Sequence, residues 1–360
     1  MTSVERHVSA GGRLAWVARW RAPDGTQHKR SFRRRLDAER HLIGEEHAMV
    51  TGEYVDPTAG KMTVGAWAQL WMAGRVHLKP KTVASYESLL RTRLLPRWGA
   101  VPLGRVSYAD ASAWVAEMRS RGLSASRTRQ SYHLLTSILD DAVRARKLAR
   151  NAAAGVDLPR LPASEQRYLT HEQVARLATA AGDDGLIVLL LSYCGLRWGE
   201  LAALRGRNVD LPRGRLSVVE AVVDVNGQMT FGSPKSHAHR DVPLPSFLRE
   251  PLALRLAGQA PDALVFPSRA GTPLRVQSFR RRGFDQAAAA VGLVGLTPHE
   301  LRHTAASLAI AAGASVKGVQ AMLGHASASM TLDRYGHLLG DELDQVAARM
   351  DAARGGHDEP

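Results

Sequence analysis

Residues 297–303 read Thr-Pro-His-Glu-Leu-Arg-His, and this short run decides what kind of chain it belongs to. Thr297 with Glu300 three places later is a capping box, and Pro298 takes the first helical position, where a missing N–H costs nothing. The run therefore predicts a helix N-terminus, with His299 and Arg302 on one face of its first turn. Helix dipole and unpaired amides there favour an anion, and a phosphate above all.

Four further runs lie on either side. Leu-Arg-Trp-Gly-Glu-Leu at 196–201 and Pro-Lys-Ser at 234–236 precede it, while Leu-Gly-His at 323–325 and Asp-Arg-Tyr-Gly-His at 333–337 follow. Cleaving a phosphodiester without a metal needs a nucleophile, cations for the pentacovalent phosphate, hydrogen-bond donors to its oxygens, and an acid for the departing alkoxide. Each has a candidate. Arg197 and Arg302 are guanidinium forks, each able to hold two non-bridging oxygens. His299 and His325 can donate to the phosphate. Lys235 is one of two lysines after residue 160 in an arginine-rich chain, and an acid must give up a proton that Arg retains. Tyr335, ten residues after His325, becomes nucleophilic once a base takes its proton or cations depress its pKa. Singly, these would read as a surface arginine, a solvated hairpin lysine, a helix-end cap and a structural tyrosine. Their occurrence together is what argues for chemistry.

One competing reading uses the same residues. His299-Glu-Leu-Arg-His303 matches the H-E-x-x-H zinc signature, with two imidazoles on one helix face and Glu300 as base. The longer form of that signature would need glycine at 306 and histidine at 309, which are Ala306 and Ala309. No Asp or Glu lies between Glu300 and Asp333 to serve as a third ligand, and Glu300 already has a capping role. No metal is expected.

The totals agree with a polyanion partner. The 360-residue chain is 45% hydrophobic and 23% charged, which reads as an ordinary globular protein with length to spare beyond one domain. Its formal net charge is +14. Lys and Arg number 10 against 8 acidic residues over 1–60, 17 against 6 over 61–160, and 21 against 20 over 161–360. The excess thus falls in one segment, the footprint of a nucleic-acid partner. Cys194, the only cysteine, lies in the apolar run 186–194 and reads as a packed thiol, so no disulfide framework exists. Neither a signal-peptide core nor a membrane-length apolar stretch is present, which predicts a cytoplasmic protein with no membrane partner.

Punctuation suggests three units and an α+β, mainly helical fold. Over 1–55, Arg13 to Trp20 alternates with strand period, Ala22-Pro-Asp-Gly25 is turn chemistry, His28 to Phe32 suits a second strand, and 36–50 reads as a helix. A small sheet rich in Arg and Trp suits a DNA groove, and a minor folded extension is the plainer alternative. Tyr54 to Gly60 reads as a linker. Residues 62–152 read as all-helical, with Thr63, Thr82, Ser107 and Ser124 or Ser126 as N-caps. There Trp67, Trp71, Tyr86, Trp98, Trp114 and Tyr132 recur at helical spacing as core, and Arg119, Arg121, Arg127 and Arg129 cluster at one turn. Asn151 to Pro162 reads as a second linker. Residues 165–352 form the third unit. It opens with the capping box Thr170-His-Glu-Gln173, then an apolar helix over 184–193. Strands are expected at Arg215–Val223, Gln228–Phe231 and Arg240–Leu244, and helices after them.

With these residues in view, the chain resembles the tyrosine recombinase family, the integrases of temperate phages and mobile elements. Gly195-Leu-Arg-Trp-Gly-Glu-Leu201 is similar to its first box, and 297–325 with 331–337 to its second. The resemblance is specific over about 165–340, looser over 62–150 and weakest over 1–55. It implies an arm-type DNA-binding domain at 1–55, a helical core-binding domain at 62–152, and a catalytic domain at 165–352. Tyr335 would attack the scissile phosphate, leaving a 3′-phosphotyrosyl bond and a free 5′-hydroxyl. Arg197, Arg302, His299 and His325 would hold the phosphate, and Lys235 would protonate the leaving oxygen. Neither cofactor, metal nor ATP is implied. Double-stranded DNA attachment sites, a homotetramer on DNA, an excisionase and a DNA-bending protein are the implied partners, with a nucleoid-associated location. A last helix over 341–353 is expected to dock on a neighbouring protomer. The extra amino-terminal unit favours an element-encoded integrase over a housekeeping dimer resolvase. A DNA-binding relative that has lost cleavage is the non-enzymatic alternative, against which the complete residue set argues.

Overall fold

The computed structural model describes residues 2–8, 13–162, 166–234, 239–336 and 350–351. The chain divides into two compact units, Met1–Ala163 and Ser164–Pro360.

The first unit opens with three antiparallel strands in sequence order, β1 (Ser3–Val8), β2 (Leu14–Arg21) and β3 (Gln27–Phe32), backed by helix α1 (Arg35–Val50). Strand β1 is an addition to the expected pair. Almost all of its side chains face solvent, so no hydrophobic alternation marks it. It is held by register against β2, with Val4 opposite Ala18 and Arg6 opposite Trp16. Ala18, Trp20, Ala38, Leu42 and Tyr54 form the small core here. Trp20 is thus packing rather than a groove-facing ring, and its Nε1 donates to the Tyr54 hydroxyl at 3.2 Å. Tyr54 was expected in a linker; its burial makes it part of this core instead.

Five helices follow: α2 (Val64–Ala73), α3 (Pro80–Leu89), α4 (Leu95–Trp98), α5 (Tyr108–Ser120) and α6 (Ala125–Arg144). Thr63, Ser107 and Ser124 accept from the amides of Ala66, Asp110 and Arg127, as N-caps should. Thr82 does not cap, because Pro80 starts α3 and puts Thr82 inside its first turn. Trp67, Trp71, Trp98, Trp114 and Tyr132 lie in one core with Leu135, Ile138 and Leu139. The supposed linker after Asn151 is packed as well. Ala153 and Val156 are buried, and the Tyr132 hydroxyl donates to Ala153 O at 2.7 Å and accepts from Val156 N at 3.2 Å. Of the four clustered arginines, Arg121 pairs with Glu117 at 2.7 Å and Arg129 donates to Pro159 O at 3.4 Å.

The second unit begins with α7 (His171–Ala180), whose capping box of Thr170 and Gln173 forms as expected, then α8 (Gly185–Cys194) and α9 (Trp198–Ala203). Five short strands come next: β4 (Val209–Asp210), β5 (Arg215–Val218), β6 (Ala221–Val225), β7 (Gln228–Gly232) and β8 (Arg240–Pro243). They make a β4-β5-β8 sheet and a separate β6-β7 hairpin. The strand expected over 215–223 therefore splits in two. Asn226 and Gly227, at φ of 50° and 89°, turn the hairpin, the conformation that Asn-Gly supplies at least cost. Helices α10 (Arg249–Leu256), α11 (Val276–Phe279), α12 (Asp285–Ala290), α13 (Pro298–Ala311), α14 (Val316–Leu323) and α15 (Ala328–Tyr335) complete it. Helix α8 runs through the middle of the core, with Ile187, Val188, Leu190, Leu191 and Cys194 all buried, and α13 packs along it. Burial pushes the Cys194 thiol up to about 12, so it is an inert packing group. The expected last helix over 341–353 lies almost wholly outside the described residues. Among the described residues, no helix is long and apolar enough to cross a membrane.

Candidate active site

Two left-handed glycines set the frame of the site. Gly195, at φ +62°, ends α8, and Gly324, at φ +63°, ends α14. Neither tolerates a side chain, since a Cβ would lie 2.7 Å from Leu323 Cδ2 at the first and 2.9 Å from Arg240 Cδ at the second. Helix ends leave carbonyls unpaired, and here two arginines take them. Arg302, on α13, donates to Gly195 O and Leu323 O, while Arg197, the residue before α9, donates to Gly324 O at 3.2 Å. The glycines thus fix both guanidiniums by backbone contacts.

Beneath Arg197 lies Glu200, which is 3% exposed. Its carboxylate accepts from the Arg197 backbone N–H at 2.9 Å and from Arg197 Nη1 at 2.8 Å. Arg240, at the start of β8, approaches from the other side, at 2.9 Å through Nη1 and 2.6 Å through Nη2. Burial pushes the Glu200 carboxyl upward, but hydrogen bonds and charge from Arg240 and Arg197 outweigh it and hold the group below its ordinary value. One carboxylate is shared by two guanidiniums, and Arg302 stands close enough to feel both. Burial, then repulsion from Arg197, draws Arg302 down to about 9, so it remains charged at neutral pH. The cluster keeps a positive surplus that an oxyanion can satisfy.

Tyr335, the last residue of α15, is 1% exposed. Its hydroxyl lies 2.7 Å from His303 Nδ1. His325 stacks parallel to its ring at 6.4 Å and an interplanar angle of 4°, with its own Nδ1 2.9 Å from the Thr331 hydroxyl. Burial lowers both His303 and His325 to about 4, helped by His299 for the first and Arg302 for the second. Both imidazoles are therefore neutral at neutral pH. Burial raises the phenol, while Arg302 and Arg334 pull it the other way. His299 is exposed and lines an open cleft of about 730 Å³ with Arg167, Thr297, Glu300, His303 and Arg334. The Glu300 carboxylate accepts from the Thr297 N–H at 2.7 Å and hydroxyl at 2.9 Å, and pairs with Arg167 at 2.9 Å. It is committed to fixing the helix start.

Two arginines able to hold a phosphate, two neutral imidazoles and a buried tyrosine thus gather on one small core. The phage integrase family model matches residues 167–341, which hold this whole cluster. The chain belongs to the tyrosine recombinases of that family. The integrase of Mycobacterium phage D29 is 26% identical over 348 residues, covering 91% of this recombinase and 90% of the relative. In fold, the recombinase is similar to the Tn1549 transposon integrase in complex with a circular intermediate DNA, with a TM-score of 0.70 at 20% identity over 81% of this chain and 99% of that one. It is likewise similar to a lambda integrase tetramer bound to a Holliday junction, with a TM-score of 0.59 at 20% identity over 91% and 94%.

Of the six residues read from the sequence, Arg197, Arg302, His325 and Tyr335 meet in this recombinase around the ends of α8, α14 and α15, and His299 stands at the cleft beside them. Lys235 lies outside the described residues, between β7 and β8. Two partners were missed. Arg240 carries no motif, and only its place at the head of a strand after the Lys235 segment hints at a role. His303 was in plain view as the second histidine of the zinc-like signature, and its Nδ1 meets Tyr335.

Proposed function

We propose that this recombinase is an element-encoded integrase that breaks and rejoins double-stranded DNA at attachment sites through Tyr335. The phenolic oxygen attacks the scissile phosphate in line with the 5′ oxygen, giving a 3′-phosphotyrosyl bond. Arg197 and Arg302 hold the non-bridging oxygens as two fixed forks, with charge developing against cations that need no reorganisation. His325 accepts from Thr331 at Nδ1, which leaves its Nε2–H to donate to the phosphate. His299 adds a donor from the cleft side, and Lys235 protonates the departing 5′ oxygen. The partner strand's hydroxyl reverses the step. Bond energy is kept in the phosphotyrosine, so neither ATP nor a metal is required.

The observation that carries this reading is the single cluster in which Tyr335, His303, His325, Arg302 and Arg197 meet within a few ångströms of two helix ends. Match to the D29 integrase along nine-tenths of both chains supports the integrase reading over that of a resolvase. On the same reading, residues 1–55 bind arm-type sites, 62–152 bind the core site, and 165–352 carry the chemistry. Four protomers act on two sites, a reading supported by the fold likeness to a lambda integrase tetramer bound to a Holliday junction. An excisionase and a DNA-bending protein are the expected helpers, and the nucleoid is the place of action. The test is covalent capture: purified protein is incubated with host and element DNA carrying nicks that block religation, then treated with SDS. Wild type should retain DNA at a few loci and Tyr335→Phe none. Equal retention by both proteins would overturn the assignment.

A further inference from the structure

The mechanism above leaves the phenolic proton of Tyr335 without a destination. Among the described residues, His303 offers it one, its Nδ1 lying 2.7 Å from that hydroxyl. Resting on Tyr335 as the nucleophile, we propose that His303 is a catalytic residue of strand cleavage, taking the phenolic proton as the phosphate is attacked and returning it on religation.

Burial excludes the simplest competitor, solvent, because Tyr335 is 1% and His303 9% exposed. The carboxylate on the same turn, Glu300, is held by Thr297 and Arg167. His325 lies face to face with the phenol ring rather than in line with its hydroxyl, and its Nδ1 is occupied by Thr331. A neutral His303 protonated on Nε2 accepts at Nδ1 from the phenol, at a distance suited to proton transfer. His303 is also placed to shed charge outward. His299, exposed on the cleft, stands edge-on to it with ring centroids 5.0 Å apart. The groups facing His303 are His299, Glu300 and Arg302 on its own helix, Arg334 and Tyr335 on α15, and His325. Burial first, with the cationic Arg302 and Arg334 adding to it, keeps the imidazole neutral in the free protein; an incoming phosphate diester offsets those two cations and makes His303 a stronger base when DNA is present. The step balances. The Oη–P bond forms and the P–O5′ bond breaks, the phenolic proton goes to His303 Nδ1, and the 5′ oxygen receives its proton from the separate acid.

The experiment is single-turnover adduct formation by wild type, His303→Asn and Tyr335→Phe on two substrates. One is an ordinary nicked site, and the other has sulfur in place of the bridging 5′ oxygen, so its leaving thiolate needs no acid. Asn keeps an acceptor near the Nδ1 position but cannot take a proton. The variant should form adduct about 10²- to 10³-fold more slowly on both substrates, which separates it from loss of the leaving-group acid. Fluorotyrosine at position 335, with a more acidic phenol, should narrow that gap. A wild-type rate for His303→Asn, or a slow rate that fluorotyrosine leaves unchanged, would overturn the proposal. Site binding by gel shift and the melting curve check folding, with His303→Gln as the second variant. Failure of wild type itself to form adduct would instead sink the nucleophile assignment.

Discussion

Arg240 grips Glu200 through both terminal nitrogens, at 2.9 and 2.6 Å, where the Glu200 side chain is 1% and the Arg240 side chain 8% exposed. Its Nε also donates to Met322 O at 3.0 Å, so the same side chain ties β8 to the end of α14. The consequence for Arg197 is electrostatic. If Glu200 had only Arg197 as counter-ion, that guanidinium would be drawn into a neutral pair; with Arg240 taking up the carboxylate, Arg197 keeps charge to spare for an oxyanion. Arg240→Met leaves Glu200 with Arg197 alone, so it should cost less than the roughly 3–5 kcal/mol of a buried charge left wholly without a counter-ion, while still destabilising the fold measurably. Urea unfolding measures that loss. Adduct formation should fall further than the folded fraction does, and equal falls would reduce Arg240 to a purely structural group.

The glycines that hold the site make a second, sharper expectation. Gly195→Ala puts a Cβ 2.7 Å from Leu323 Cδ2 at a φ of +62°. Strain and overlap together should destabilise by about 1–3 kcal/mol. The displaced Gly195 carbonyl would also loosen Arg302, so adduct yield should drop with it. Gly44→Ala is the control. It lies inside α1 with open space around it, and there the change should be neutral or stabilising by up to about 1 kcal/mol.

Legibility in the sequence followed the range of the interactions involved. Thr297, Pro298 and Glu300 announce their helix because capping is settled within four residues, and the structure has that helix at Pro298. The tryptophans of the helical core were readable from spacing, since burial on one face is a periodic signal. Arg240 was not, because its partner is forty residues away and nothing local distinguishes it from a surface arginine. His303 was read only as half of a zinc signature; its partner Tyr335 is thirty-two residues on, a distance that no motif spans. Strand β1 escaped for the opposite reason, being so exposed that register with β2 alone defines it.

The segment after Asn151 tests whether a Pro- and Ala-rich stretch can be structural. Tyr132→Phe removes the hydroxyl that donates to Ala153 O and accepts from Val156 N, leaving both backbone groups buried without that partner. A loss of about 1–3 kcal/mol is expected, with trypsin cutting faster at Arg150 and Arg160, which flank the segment. Tyr108→Phe, at a tyrosine 49% exposed, should change neither measurement. Equal cleavage in all three proteins would return the stretch to the status of a free linker.

Stability against pH follows from the two buried histidines. His303 and His325 sit at about 4 in the folded protein against an ordinary 6.5. Between those values the unfolded chain binds a proton that the folded chain refuses, so stability must fall as pH drops from about 6.5 towards 4 and gain nothing further above 6.5. Each histidine contributes a slope of at most about 1.4 kcal/mol per pH unit, trimmed by the solvent that still reaches both rings. Glu200 and Glu300, held below their ordinary values, act at the lower end: their contribution is present above the unfolded carboxylate value and disappears as pH falls through the depressed folded one. The urea midpoint should thus be level from pH 8 to 7 and decline steadily below 6.5. His303→Asn combined with His325→Asn should flatten the stretch from 6.5 to 5 and spare the steeper fall beneath it. A wild-type midpoint unchanged between pH 7 and 5 would mean that the two imidazoles take up protons in the folded protein as readily as in the unfolded chain, and burial would no longer be what keeps the acceptor facing Tyr335 neutral.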